Sequence, residues 1–265
     1  MKVILNADDF GSTELHTRHI IELLEAGRIT SSTFLVNLAY SEHAATLLVE
    51  KHPALISRLG LHFNLKEGRP LNPRLLGSPF VDENQDFVDF RGRVPHWRQL
   101  LHLPQLIREL DLQITRFHRL LGRYPTHIDS HGHTHCTGVV LLALLLSGNA
   151  QRVKALRLTR QYDHEMPKLS GPRNAARQLA KRALNGAFRL RFRTADYFVD
   201  LRNIDRSWLT PAQLEFMKSR YRTVEVMCHP YDGDDSEYLF LHNAPNVFEL
   251  HPGVRLATYA ELGSD

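Results

Sequence analysis

The stretch Val-Ile-Leu-Asn-Ala-Asp-Asp-Phe-Gly, residues 3–11, decides the expected fold. It begins apolar and runs into two adjacent aspartates and a glycine, a pattern that predicts a buried strand with polar residues at its carboxyl end. Residues 15–26 follow with apolar side chains at helical spacing, preceded by the capping candidates Ser12 and Thr13 and closed by Gly27. The opening unit is therefore predicted to be a strand followed by a helix.

The same alternation continues along the chain. Further strands are predicted at 33–36, 59–65, 126–130, 155–158, 197–200 and 223–228, with helices at 41–51, 103–121, 139–146, 174–184 and 211–220. Repeated strand–helix units call for parallel strands that are buried on both faces. About seven units favour an α/β barrel in one domain, residues 1–265.

Two segments interrupt the alternation. Residues 68–97 are rich in Pro, Gly, Asn and Asp with little periodicity, which predicts a long surface loop inserted near the site. A basic helical segment near 172–193 contains no acidic residue, and its cations interleave with apolar residues: Arg173, Arg177, Lys181, Arg182, Arg189, Arg191 and Arg193. Either this is a solvated helix face, or it is an amphipathic surface that contacts an anionic membrane peripherally.

Composition excludes several classes of protein. Two cysteines are too few for a disulfide framework or a cysteine-rich zinc site. The 33 Lys and Arg exceed the 29 Asp and Glu only modestly, so no nucleic-acid partner is expected. The first residues leave no room for a secretory apolar region, and no run of about 20 apolar residues would span a membrane. We expect a cytoplasmic protein, at most peripheral at the inner membrane face, and a homodimer is one possible assembly.

Ionisable side chains gather at the carboxyl ends of the predicted strands: Asp8, Asp9, His62, His131 and His229. Barrel enzymes build their active sites from such ends, whereas histidines that merely fill a core would have no reason to choose one face. Each residue alone has a plainer interpretation, such as a helix cap for the aspartates or a core position for His62. The four histidines and one aspartate within 127–135 predict a metal site, although spacing does not decide which histidines bind.

Five ordered motifs carry a resemblance to a known family. They are Asn6-Ala7-Asp8-Asp9-Phe10-Gly11, Thr30-Ser31-Ser32-Thr33 with Val36-Asn37, Gly60-Leu61-His62-Phe63-Asn64-Leu65, Thr126-His127-Ile128-Asp129-Ser130-His131 and Glu225-Val226-Met227-Cys228-His229-Pro230. In these motifs the chain resembles the YdjC-like carbohydrate deacetylases, and the resemblance spans most of its length. It implies a distorted TIM-like (β/α) barrel of about seven parallel strands. One departure is Gly132, where the family often has a bulkier or polar residue.

The resemblance also implies roles for residues. Asp9, His62 and His131 match the family's metal ligands, Asp8 its candidate general base, and His229 its candidate acid or oxyanion stabiliser. The implied cofactor is one divalent ion, Mg²⁺ or Zn²⁺. Three further residues are expected to contact substrate: Asn64, His133 and Arg157.

The expected reaction is metal-dependent removal of the acetyl group from an N-acetylated sugar of the N-acetylglucosaminyl type. The substrate would be a chitooligosaccharide or a lipid-linked sugar, because residues 193–198 resemble the hopanoid-linked members more than the chitooligosaccharide members. One alternative is a metal-dependent phosphoesterase on a similar barrel. Two bound ions about 4 Å apart would favour it. The other is a non-catalytic protein that uses the basic segment to bind an anionic ligand, either nucleic acid or anionic lipid.

Overall fold

The computed structural model describes residues 1–158, 172–201, 211–231, 237–243 and 251–263. Its strands are β1 (Lys2–Phe10), β2 (Ser31–Phe34), β3 (Leu59–Phe63), β4 (His127–Ser130), β5 (Ala155–Leu156), β6 (Tyr197–Asp200), β7 (Thr223–Cys228) and β8 (Arg255–Leu256). Its α-helices are α1 (Glu14–Glu25), α2 (Ser41–Lys51), α3 (His96–Leu101), α4 (Leu103–Leu121), α5 (Gly138–Leu146), α6 (Pro172–Arg191), α7 (Pro211–Arg220) and α8 (Glu237–Asn243).

The strands form one parallel sheet in the order β5-β4-β3-β2-β1-β7-β6, and β8 pairs with the start of β1. A parallel bridge between Ala155 and Arg193 links the two edges of this sheet. There the amide of Leu156 donates to the carbonyl of Arg193 at 3.0 Å, and the amide of Arg193 donates to that of Lys154 at 2.8 Å. The prediction of an α/β barrel-like sheet with about seven parallel strands is confirmed.

Helix α4 shows how sequence pattern produces this packing. Its apolar residues recur every three or four positions, and Leu106, Leu110, Ile114 and Phe117 are fully buried against the sheet. The helix ends at Gly122, whose φ of 72° is left-handed and costs glycine little. None of the described helices is both long and apolar enough to cross a bilayer.

The amino-terminal end of the barrel is filled by the segment after β8. Tyr259 packs with Ile4 and Ala155 in a small buried cluster, and its ring stacks on His127 with centroids 3.5 Å apart. His127 in turn needs Gly60, because a Cβ there would lie 2.5 Å from the imidazole ring.

The segment 68–97 differs from the predicted surface loop. It contains a 3₁₀ turn at Pro73–Leu75 and an antiparallel bridge between Val81 and Phe87. Several of its apolar side chains are buried in the main core: Leu75, Phe80, Phe87, Phe90 and Val94. The segment has little regular secondary structure, so its sequence shows no periodicity. It is nevertheless packed against the core, because its buried aromatic and aliphatic side chains anchor it.

Candidate active site

The structure brings the predicted strand-end residues together in one cleft. Asp8 and Asp9 lie near the carboxyl end of β1, His62 lies in β3, His131 follows β4 and His229 follows β7. The curl of the sheet closes the distance between strands that are not neighbours. His62 Nε2 lies 4.0 Å from Asp8 Oδ2, and His229 Nε2 lies 3.9 Å from the same oxygen.

A bulge at the end of β1 lets two adjacent aspartates share this cleft. On a regular strand, neighbouring side chains point to opposite faces. Here the register of β1 against β2 shifts between Ala7 and Phe10, and Asp9 has a left-handed φ of 66°. Such a conformation is costly for a residue with a side chain and is held by its surroundings.

Asp9, His62 and His131 converge on one point. Asp9 Oδ1 lies 3.1 Å from His62 Nε2 and 2.9 Å from His131 Nδ1, and the two nitrogens are 3.4 Å apart. Adjacent ligands of a zinc or magnesium ion, each about 2.0–2.1 Å from the metal, lie about 2.8–3.4 Å from one another. The three atoms therefore have the spacing and the chemistry to hold a single divalent cation.

A carboxylate behind His62 sets its tautomer. Asp129 Oδ1 lies 2.6 Å from His62 Nδ1, so this nitrogen carries the proton that it donates and Nε2 is left to face the cleft. The Thr33 hydroxyl donates to the other oxygen of Asp129 at 3.0 Å. Burial lowers the pKa of His62, but Asp129 and Asp8 outweigh it and raise that pKa well above its ordinary value. Metal binding is therefore expected to release a proton.

Asp8 is held by Arg157, which lies beneath it. The guanidinium donates to both oxygens of Asp8 at 2.7 Å and to Glu225 at 2.6 Å, and its Nη1 forms an ion pair with Asp129 Oδ2 at 2.8 Å. Burial alone raises the pKa of Asp8, but Arg157 and the histidines hold it well below its usual range. Burial raises the pKa of Glu225 to about 7 against the lowering effect of Arg157. Asp8 is thus ionised at neutral pH.

Two of the three residues expected to touch substrate have other positions. Arg157 has an exposed fraction of 0% and its nitrogens bind three carboxylates. This location suits a residue that orients Asp8 rather than one that contacts substrate. Asn64 is also buried, and its side chain bonds Asn37 and the backbone of Lys66 and Glu67. Both positions indicate that these side chains shape the wall of the cleft from behind.

The four histidines of 127–135 separate into three kinds. His127 and His135 are fully buried, and burial lowers the pKa of both, that of His135 to about 3, so they are neutral core residues. His133 has a left-handed φ of 58° and sets its partly exposed ring against Phe198 at 5.7 Å. Contact of His133 with substrate stays a prediction. His131 alone among them reaches Asp9.

His229 has carboxylates on more than one side. Its Nε2 lies 4.0 Å from Asp9 Oδ2, and its amide donates to Glu237 at 2.5 Å. Asp200, His229 and Glu237 each offer an atom within 4.8 Å of the others. His229 therefore lies beside Asp8, Asp9 and Glu237 at the edge of the site.

Sequence reasoning missed four residues of the site: Thr33, Glu67, Tyr231 and, as the specific partner of His62, Asp129. Glu67 Oε1 lies 3.5 Å from His131 Nε2. The Tyr231 hydroxyl donates to Asp9 Oδ2 at 2.5 Å, and its ring is stacked on that of His229 with centroids 5.6 Å apart. Thr33 and Asp129 lie inside two of the five family motifs. Nothing in the sequence marks Tyr231, which follows β7 and Pro230.

Tyr231→Phe is expected to weaken metal binding by about 10-fold or more, because it removes the hydrogen bond to the second oxygen of a ligating carboxylate. The dissociation constant for Zn²⁺ would be measured by competition with a chelating indicator. Tyr238→Phe is the matched control, since the Tyr238 hydroxyl donates to Glu22, outside the metal centre, at 2.7 Å. Equal zinc affinities for Tyr231→Phe and wild type would show that Tyr231 does not contribute to metal binding.

Fold and site together define an α/β barrel protein with a candidate divalent-cation centre at the carboxyl ends of its strands. The family model for YdjC-like proteins matches residues 2–258. The chain therefore belongs to the YdjC-like family.

Similar proteins carry names that concern sugars. The chain is 32% identical to a chitooligosaccharide deacetylase of Escherichia fergusonii over 94% of its own length and 88% of the relative's. A carbohydrate deacetylase of Mus musculus is 37% identical over 51% of this chain, and the match spans only 43% of the mouse protein. A crystal structure from Enterococcus faecalis, described as a candidate cellobiose-phosphate cleavage protein, superposes with a TM-score of 0.72 at 26% identity over 98% of both chains.

Proposed function

We propose that this protein is a metal-dependent hydrolase that removes the acetyl group from an N-acetylated sugar. The observation that carries the proposal is the convergence of Asp9, His62 and His131 within 3.4 Å of one another, beside an ionised Asp8. The names of the relatives, carbohydrate and chitooligosaccharide deacetylase, support a sugar amide as the substrate.

Amide hydrolysis needs an activated water, a stabilised oxyanion and a protonated leaving amine. A divalent ion held by Asp9, His62 and His131 would supply Lewis-acid activation of water and of the acetyl carbonyl. Asp8 takes the proton from the attacking water, and Arg157 keeps its carboxylate oriented and ionised for this step. His229, 3.9 Å from Asp8, donates a proton to the departing sugar nitrogen or stabilises the oxyanion.

Two further groups of possible ligands lie among the described residues: for Asp200, His229 and Glu237 the metal count decides, whereas the group next to the triad argues against a second ion. Among the described residues, a second group of possible ligands, Asp8, His62 and Asp129, lies next to the first. Arg157 already neutralises both of its carboxylates at 2.7 and 2.8 Å. A second cation would have to displace this fully buried guanidinium. A metal count of one per chain is therefore part of the proposal, and two would favour phosphoester chemistry.

For the substrate we propose an N-acetylglucosaminyl group on a lipid, of the hopanoid-linked kind, with a soluble chitooligosaccharide as the second candidate. A lipid-linked substrate would place the protein at the inner face of a membrane. Incubating the metal-loaded protein with soluble and with lipid-linked N-acetylglucosamine conjugates, and assaying released acetate, tests both reaction and substrate. Release from neither would contradict the proposed function.

Asp8→Asn is expected to lower the rate of acetate release by about 100-fold or more, because the amide cannot take a proton from water. Metal content should stay near that of wild type, since Asp8 is outside the converging triad. Asp86→Asn, at an exposed position of the 68–97 segment, is the control for loss of a carboxylate. Near-normal turnover by metal-loaded Asp8→Asn would show that Asp8 is not the base.

A further inference from the structure

Three neighbouring helices on one side of the barrel differ in charge from the rest of the chain. Helix α5 contacts both α3 and α6. Together these helices contain seven Lys and Arg residues and not one Asp or Glu, six of the cations lying in α6. The whole chain, by contrast, has nearly balanced charge, 33 basic against 29 acidic residues.

The same helices expose large apolar side chains in helical register. On α3, Trp97, Leu100 and Leu101 follow the i, i+3, i+4 spacing of one helix face, and Trp97 and Leu101 are 60% and 65% exposed. On α5, Leu142 and Leu146 are exposed one turn apart. Exposed apolar side chains grouped on neighbouring helices mark an interaction site more often than a scatter of single residues does.

Helix α6 adds an apolar stripe on its solvent side. Leu179, Ala183, Gly186 and Leu190 recur at intervals of four, three and four residues, and all four are exposed. Leu190 is 92% exposed, more than any other large apolar residue that the structure describes. Such a stripe on the outside of a helix gains nothing from the core formed by the described residues. It therefore calls for a partner outside it.

Cations flank these apolar residues. Arg182 and Arg189 are exposed on α6 beside the stripe. On α3 the guanidinium carbon of Arg98 lies 5.2 Å from the centroid of the Trp97 ring. Leucine and tryptophan side chains inserted between basic residues are the composition of helices that lie in the headgroup region of an anionic bilayer.

We propose that α3, α5 and α6 form a docking surface for an anionic lipid bilayer, called the docking face below. A second copy of this chain would bring the same excess of positive charge against itself, so self-association fits this face poorly. Nucleic acid would complement the charge but would leave the leucines in water. Anionic lipid satisfies both, because its headgroups pair with the arginines while its acyl boundary takes up the apolar side chains.

The docking face is connected to the cleft by short stretches of chain. Helix α5 begins seven residues after His131. Arg91, five residues before α3, donates to the carbonyl of Gly132 at 2.6 Å. Docking would thus hold the cleft close to a lipid-linked sugar, a consequence that rests on the proposed function. Binding to the bilayer itself does not depend on it.

Vesicle flotation with the full chain tests the docking face. Wild type should float with phosphatidylglycerol-containing vesicles at low salt, at least about 10-fold more than with phosphatidylcholine alone, and high salt should reduce the difference. The double variant Leu101→Ser/Leu190→Ser should lose most of this binding. Val49→Ser, an exposed apolar residue on α2, is the matched control and should bind like wild type.

Three results would overturn the proposal. One is no flotation of wild type with anionic vesicles at low salt, and another is unchanged flotation of the double variant. The third is a wild-type dimer in light scattering that the double variant turns into a monomer, which would make the face a self-association interface. Thermal unfolding would verify that the variants are folded. Acetate release from a soluble conjugate should be the same in all of them, so loss of vesicle binding leaves the proposed reaction standing.

Discussion

His62→Ala is expected to abolish stoichiometric metal binding and to lower acetate release by more than about 100-fold. Changes behind a metal ligand already cost 10- to 100-fold in affinity or activity, and His62 is itself one of three converging ligands. The substitution also removes the imidazole between Asp9 and Asp129, which leaves two buried carboxylates without the group that separates them. Metal content after dialysis and the rate of acetate release would both be measured.

His43→Ala provides the control for this variant, because His43 is exposed on α2, away from the strand ends. It should retain wild-type metal content and activity. If His62→Ala bound one equivalent of zinc with the affinity of wild type, the assignment of His62 as a ligand would be wrong. If His62→Ala lost activity but kept its full metal content, His62 would be a residue that positions its neighbours and not a metal ligand.

Arg157→Met is expected to lower the free energy of unfolding by about 3–5 kcal/mol, the cost of removing one partner from a buried ion pair. Without the guanidinium, three buried carboxylates, those of Asp8, Asp129 and Glu225, lose their shared cation. The deficit should shrink as the pH falls, because Arg157 lowers the pKa of Asp8 and of Glu225, and protonation of these two carboxylates removes uncompensated charge. Denaturant unfolding at several pH values would measure both effects.

Arg91→Met is the matched control for Arg157→Met. Arg91 also binds an aspartate through two nitrogens, with bonds of 2.8 and 2.6 Å to Asp89, but this pair is exposed. Exposed ion pairs contribute about 0–1 kcal/mol, and the bond from Arg91 to the Gly132 carbonyl adds about 0.5–1.5 kcal/mol, so the control should lose less stability than Arg157→Met. A similar small loss in Arg157→Met would mean that water or a proton already compensates the buried carboxylates.

The sequence predicted the barrel because its signals are local. The apolar run of β1 and the periodic apolar face of α4 lie within single elements, so each can be read without its neighbours. Parallel strands then require that their carboxyl ends share one edge, which was enough to group Asp8 and Asp9 with His62, His131 and His229. The packing of the 68–97 segment could not be predicted in this way, because an irregular segment has no periodic pattern of apolar residues.

Whether the residues of 127–135 face the core, the wall or the cleft could not be read from the sequence. His127, His131, His133 and His135 have the same chemistry and alternate along the chain. Only the partners separate them: Tyr259 stacks on His127, Ser130 bonds His135, and Asp9 meets His131. Those contacts depend on strand register and on the turn after β4, where Gly132 and His133 are both left-handed.

By itself, then, the sequence determined an α/β barrel with aspartates and histidines at its strand ends, because periodicity and strand direction are properties of the chain. The tertiary structure decided what each of them contacts. It turned Asp9 to the side of Asp8 through a bulge, set Arg157 beneath Asp8, and brought the Tyr231 hydroxyl to Asp9. Tyr231 follows β7, which pairs directly with β1, whereas Arg157 follows β5 at the edge of the sheet, and only the curl of the sheet brings it to Asp8.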